Sequence, residues 1–179
     1  RPQRPGSFWV RTTALGSYCE VGRACHLVTT NESRVMIDVG VNIASDTDPM
    51  PYFTAPEALP MEKLDAVVLT HAHLDHAGML PVLFRYGYRG PVYCTPPTRD
   101  LMTLLQMDYI KVAQAEGSEA PYSKADIQEC IKHVVDIRWG DKTDIAPDVK
   151  VTLENAGHIL GSSSVYMQIG EGNSEHRLL

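Results

Sequence analysis

The chain has 179 residues, of which 44% are hydrophobic and 21% charged, a balance that excludes a disordered segment and a length that suits one core rather than two. Its net charge of −6 argues against sequence-independent nucleic-acid binding by this segment alone, though a metal centre could still supply local positive charge for a nucleic-acid substrate. No apolar run is long enough to span a bilayer, no signal-peptide pattern stands at the start, and Cys19, Cys25, Cys94 and Cys130 form no Cys-x-x-Cys pair, so they read as reduced, mostly buried thiols of a cytoplasmic protein.

The basic, Pro-rich run Arg1-Pro2-Gln3-Arg4-Pro5-Gly6 marks residues 1–7 as a linker from an upstream domain and leaves 8–179 as one domain. Phe8 to Leu15 and Ala24 to Thr30 read as strands joined by a Gly-containing loop. Ser33 to Val39 reads as a third, with Val35, Ile37 and Val39 alternating up to the break at Gly40. Four prolines and several acids between residues 45 and 60 predict an irregular surface loop. Leu64 to Thr70 is an almost continuous apolar run, as expected of a strand buried on both faces.

A helix is expected from about Asp75 to Tyr86, shortened or kinked by Pro81, and a short strand from Pro91 to Cys94. Residues 98–116 give the plainest helix, with Thr98 as N-cap and Leu101, Leu104, Leu105, Ile110 and Val112 as its apolar stripe. Ser123 opens another helix, running to about His133. Strands follow at 134–138, 149–154 and 163–169, and one more begins at the apolar pair Leu178-Leu179, so the chain reads as a fragment of a longer protein. Strands and helices alternate without a Gly-rich phosphate loop, which predicts a mixed α/β layered fold.

The chemistry concentrates in His71-Ala72-His73-Leu74-Asp75-His76, directly after the buried strand. A loop leaving a strand end aims alternate side chains to one side, so His71 and His73 can meet one ion. Asp75 and His76, at the turn into a helix, can face a second. Imidazole with carboxylate suits zinc, less exclusively manganese or iron. A structural zinc site would favour cysteine, which is absent from this run. His158 lies between Gly157 and Gly161 after a predicted strand, where the glycines let the backbone bring one imidazole to an ion. Asp38, ending its strand before Gly40, is either a partner that orients a ligand histidine or a turn residue. Thr70 likewise either orients a ligand or closes its strand. His26, His133 and His176 have no such context and read as structural.

At these residues the sequence resembles the metallo-β-lactamase superfamily, whose hallmark is a His-x-His-x-Asp-His run. Glu20 to Cys25, Met36 to Gly40, Thr70 to Gly78, Pro96 to Asp108 and Ala156 to Ser162 together resemble its β-CASP nucleases, and among these the archaeal homologues of the cleavage and polyadenylation specificity factor nuclease subunit. The resemblance implies an αββα sandwich, present here as an incomplete, N-terminal part. It implies one zinc held by His71, His73 and His158 and another by Asp75 and His76, with Asp38 as a first motif and with Asp75, His76 and Asp38 serving catalysis.

The resemblance also implies a bridging aspartate soon after residue 179, a last zinc histidine beyond an inserted β-CASP domain, KH domains upstream and a homodimer among its assemblies. The implied activity is a zinc ribonuclease acting on RNA phosphodiesters in RNA 3′-end processing or transcription termination, through two Zn2+ that clamp the phosphate. Two alternatives stay open: a small-molecule hydrolase of the same fold, such as a thioesterase or lactamase, and a non-catalytic scaffold paralogue. A half-domain that exposes unpaired strand edges is expected to be inactive alone, to aggregate or to bind zinc weakly.

Overall fold

The computed structural model describes residues 7–45 and 47–179, so all of the expected linker but Ser7 lies outside the described residues. Strands β1 (Val10–Gly16), β2 (Cys25–Thr30), β3 (Arg34–Ile37), β4 (Ala66–Val68), β5 (Val92–Cys94) and β6 (Val134–Asp136) line up in chain order in one sheet. The pairs β1–β2 and β2–β3 are antiparallel. From β3 to β6 the sheet is parallel, and the helices lie in the long crossovers that parallel neighbours require.

These helices are α1 (Leu74–Ala77) and α2 (Leu80–Arg85) between β4 and β5, then α3 (Pro96–Ala115) and α4 (Lys124–Lys132) between β5 and β6. A second, antiparallel sheet follows from β7 (Lys142–Ala146), β8 (Val149–Asn155), β9 (Ser163–Ile169) and β10 (His176–Leu178), in the order β10-β9-β8-β7.

Two cores result. Val67 and Leu69 face the helices, packing with Met36, Leu80, Leu83 and Met102. Ala66 and Val68 face the second sheet, packing with Val151, Leu153 and Met167. The apolar run around β4 is therefore buried on both faces, which is why it lacks alternation. In β8 and β9 alternate residues are buried (Val149, Val151, Leu153; Val165, Met167, Ile169) and the intervening ones are polar and more exposed. Among the described residues, three layers of the αββα sandwich are thus in place: helices, first sheet, second sheet. No helix among them is long and apolar enough to cross a membrane.

The expected elements are present, with several differences. The helix expected from Asp75 to Tyr86 is two helices, because Pro81 lacks an N–H and settles in the first turn of α2 instead of inside one long helix. α3 begins at Pro96 with Thr95 at its N-cap, not Thr98, and its buried residues are Thr98, Met102, Gln106 and Ala113. Leu104 and Val112, expected in the stripe, are exposed. Gln106 holds a buried position because its Nε2 donates to the Ala77 carbonyl at 2.8 Å. The 45–60 segment is irregular but not wholly superficial, since Phe53 and Ala58 enter the core. Strand β7 had no sequence signal: it buries only Ile145 and takes its register from β8.

Candidate metal centre

The centre forms where parallel strands end. β3 runs into Asp38 and β4 into Thr70 and His71, so the sheet sets their separation. Open α/β sheets offer a crevice at these carboxyl ends. Asp38 has φ 58°, a left-handed conformation that Asp adopts more readily than most residues. This turn sends its carboxylate across the strand ends. Oδ1 accepts from the Thr70 amide, and Oδ2 accepts from the Thr70 hydroxyl and from His76 Nδ1, each at 2.8 Å. Asp38 is buried, so each of these bonds replaces lost water.

Those bonds fix two tautomers. A carboxylate only accepts, so His76 Nδ1 carries a proton, and in the neutral imidazole it is Nε2 that keeps the lone pair. Thr70 gives its one hydroxyl proton to Asp38, so in the 2.9 Å contact between Thr70 Oγ1 and His71 Nδ1 the imidazole donates. His71 Nε2 is left with a lone pair as well. It lies 3.2 Å from His73 Nδ1, and His158 Nε2 lies 3.3 Å from the same nitrogen.

The three donor atoms of His71, His73 and His158 fall within 4.8 Å of one another. Zinc–nitrogen bonds of about 2.0–2.1 Å at tetrahedral angles separate ligand nitrogens by about 3.3 Å. The two measured separations match the edges of such a site, so these residues fit a zinc ion. Beside them, His76 Nε2 lies 3.5 Å from Asp75 Oδ2, and the His71 and His76 rings are 4.1 Å apart between centroids. A second donor pair thus adjoins the triad.

α1 is a single turn, too short to satisfy all of its own carbonyls, although Leu74 O also accepts from the Gly78 amide at 2.8 Å. They are taken up by neighbouring segments: Leu74 O accepts from Val41, Asp75 O from Ala24 and His76 O from Val39, at 2.9, 2.8 and 2.7 Å. Gly40 is required here, because a Cβ on it would stand 1.6 Å from Asp75 O. His158 is placed by a different device. Ser162 Oγ accepts from the amides of His158 and Ile159, both at 3.1 Å. The Gly161 carbonyl accepts from the hydroxyls of Thr95 and Thr98, at 2.7 and 3.2 Å, at the start of α3.

Burial, then the neighbouring His76, pushes the His71 pKa down to about 4, against an opposing pull from Asp38. His71 is therefore neutral near pH 7, as a ligand must be. For His76 burial acts downward, but the hydrogen bond and charge of Asp38 outweigh it and the pKa is raised.

The model of the metallo-beta-lactamase superfamily domain matches residues 27–174. The chain belongs to the metallo-beta-lactamase superfamily. Solved members show the same fold at low identity. Rm3 metallo-beta-lactamase superposes with TM-score 0.57 at 22% identity, covering 93% of this chain and 56% of that one. The subclass B3 metallo-beta-lactamase MEM-A1, from a soil metagenome library, gives 0.60 at 17%, covering 93% and 58%.

Nearer in sequence are proteins named transcription termination factor FttA. That of Methanosarcina mazei is 56% identical over 164 residues, 92% of this chain and 26% of the relative. That of Thermococcus kodakarensis is 55% identical over 173 residues, 93% and 27%, and that of a Lokiarchaeum species 48% over 173 residues, 97% and 27%. The chain spans about a quarter of the length of these curated relatives.

Within this superfamily domain the remaining histidines have partners of their own. His26 is half-buried with Nδ1 3.3 Å from the Tyr18 hydroxyl, its pKa lowered chiefly by burial. His133 Nε2 lies 3.4 Å from Glu129 Oε1, and His176 stacks on Phe8. The supports at Thr95, Thr98 and Ser162 have no sequence signature of their own, since hydroxyl residues near helix starts and turns are commonplace. Gly161 is the one clue: at φ 83°, a Cβ there would meet Thr95 Oγ1 at 2.8 Å.

Proposed function

We propose that this chain is the metal-holding part of a two-zinc ribonuclease of the β-CASP type, which hydrolyses RNA phosphodiester bonds in transcription termination or RNA 3′-end processing. The observation that carries it is the convergence of His71, His73 and His158 at 3.2 and 3.3 Å, with Asp75 and His76 alongside. In this reading His71, His73 and His158 hold one ion. Asp75 and His76 hold the other, together with a bridging aspartate and a last histidine from outside these residues.

Bound zinc would supply Lewis-acid polarisation of a phosphoryl oxygen and a nucleophile available at neutral pH. The chain's own residues supply the rest. Asp38 and Thr70 hold the imidazoles with their lone pairs forward, and Asp75, whose side chain is 41% exposed, orients an attacking water and accepts its proton.

RNA is favoured as substrate on two grounds. Relatives that match more than nine-tenths of this chain at 48–56% identity are named transcription termination factors. The candidate donors are also accessible: His158 is exposed and the Asp75 side chain is 41% exposed, so a substrate phosphate can reach them. The KH and β-CASP domains of the family are proposed as the flanking partners that supply RNA affinity to a chain of net charge −6. The test is RNA cleavage by the full-length protein, which should vanish in His73→Ala and on chelation. Undiminished cutting in either case refutes the proposal.

A further inference from the structure

The segment between β1 and β2 is conformationally costly. Ser17, Cys19 and Arg23 have φ of 64°, 59° and 44°, the left-handed region, where an L-residue's Cβ crowds the following carbonyl. Such conformations persist where surrounding contacts over-determine them. At Arg23 those contacts are plain. The residue is buried, and its guanidinium forms a bidentate pair with Glu20, from Nε at 2.6 Å and Nη2 at 2.9 Å. Nη1 donates to Asp48 Oδ2 at 2.8 Å and lies within reach of the Asp48 and Met50 carbonyls at 3.1 and 3.2 Å. Nη2 also donates to the Tyr52 hydroxyl at 2.8 Å, while the guanidinium carbon lies 4.4 Å from the centroid of the same ring.

The backbone at this clamp leads straight to the metal centre. The Arg23 amide donates to Val41 O at 3.0 Å, and the next amide, Ala24, donates to Asp75 O at 2.8 Å. The Gly40 amide returns to Ala24 O at 2.8 Å. The direction of the Ala24 N–H is set by the torsions at Arg23, and these are held by the side-chain clamp.

We propose that Arg23 is a positioning residue for the Asp75–His76 donor pair. It acts through the Ala24 amide on the carbonyl of Asp75, one of the three backbone bonds that hold the single turn carrying both side chains. Two members of the triad have other supports, Thr70 behind His71 and Ser162 beneath the His158 loop, while His73 enters the turn as its N-cap. Loss of the clamp therefore weakens one ion and spares the other. The inference rests on the two-ion reading given above.

The experiment uses the full-length protein and counts zinc retained against a competing chelator, with cobalt substitution to follow each site by its visible absorption. Wild type is expected to hold two ions. Arg23→Ala is expected to hold one with unchanged affinity and the second about 10–100-fold more weakly, the usual cost of losing a group that orients a ligand. Tyr52→Phe, which removes one bond of the clamp, should weaken the second ion by a smaller factor, and it decides the matter if Arg23→Ala does not fold. A second ion held as in wild type, or both ions weakened equally in a folded variant, overturns the role of Arg23. A wild type that takes up a single ion overturns the two-ion reading and the role of Arg23 with it.

Discussion

Replacing Asp38 by asparagine isolates the tautomer control at this centre. Asparagine tolerates the left-handed φ of 58° as well as aspartate does, and the two side chains have the same shape. Only one oxygen changes to an NH2. The best arrangement keeps an oxygen for the Thr70 amide, which can only donate. The NH2 then faces Thr70 Oγ1 and His76 Nδ1, where Oδ2 accepted before. His76 Nδ1 must become an acceptor, which moves its proton to Nε2. The Thr70 hydroxyl now accepts from the amide and turns its proton toward His71 Nδ1, so His71 also carries its proton on Nε2.

A single substitution thus blocks two proposed ligand nitrogens without breaking a hydrogen bond. Loss of one orienting partner usually costs 10–100-fold in metal affinity, about 1.4–2.7 kcal/mol. With two ligands affected, Asp38→Asn should weaken zinc about 100-fold or more, while the metal-free fold survives. Chelator competition gives the affinity, and nitrogen NMR of the imidazoles gives the tautomers. Wild-type affinity, or Nε2 atoms that stay unprotonated in the metal-free variant, would refute the reasoning.

Three further outcomes are expected. Gly40→Ala places a Cβ 1.6 Å from Asp75 O, against backbone that cannot rotate away, so it should cost about 3 kcal/mol or more; an unchanged denaturant midpoint would contradict this. Met102→Ala, at a fully buried position, should lose about 2–5 kcal/mol, whereas Leu104→Ala, at an exposed one, should stay within about 0.5 kcal/mol. Reversal of that order in urea melts would return Leu104 to the buried face of α3. Burial pushes the thiols of Cys25, Cys94 and Cys130 up, Cys94 to about 12. The folded state then keeps protons that the unfolded chain releases above about pH 8.5, and stability should fall by about 1.4 kcal/mol per pH unit per thiol from there upward. A flat profile between pH 8 and 10 speaks against it, as does native-state alkylation of any cysteine except the exposed Cys19.

How far the fold could be read in advance depended on where the burial information lay. β8 and β9 alternate buried and exposed positions, and the pattern is written in their own residues. The face of α3 is not. It is set by what the helix lies against, and one of its buried members is Gln106, there to satisfy the Ala77 carbonyl of α1. A count of apolar residues therefore selects Leu104 and Val112, which face solvent. β7 is the extreme case: Lys142, Thr143 and Asp144 pair with β8 residue by residue, and nothing in their chemistry demands it.

The cluster at His71 to His76 was legible because its members are contiguous and follow a buried strand. His158 was legible only in their company, being brought to His73 by the meeting of a parallel strand end and an antiparallel one. Asp38 is the most instructive position, since the residues alone left a choice between a turn at a strand end and a partner of a ligand histidine. In the structure the turn and a bond to His76 occur together. The positive φ of Asp38 is the turn, and that turn carries the carboxylate from the end of β3 across to Thr70 and His76. A β-branched residue would strain there and could not accept the bonds, so backbone and side chain impose the same residue type. Arg23 repeats the arrangement on the other side of the centre, with a left-handed backbone held by its own side chain and an adjacent amide aimed at Asp75. In both cases strain sits next to the donor atoms, where small errors of direction cost most in affinity.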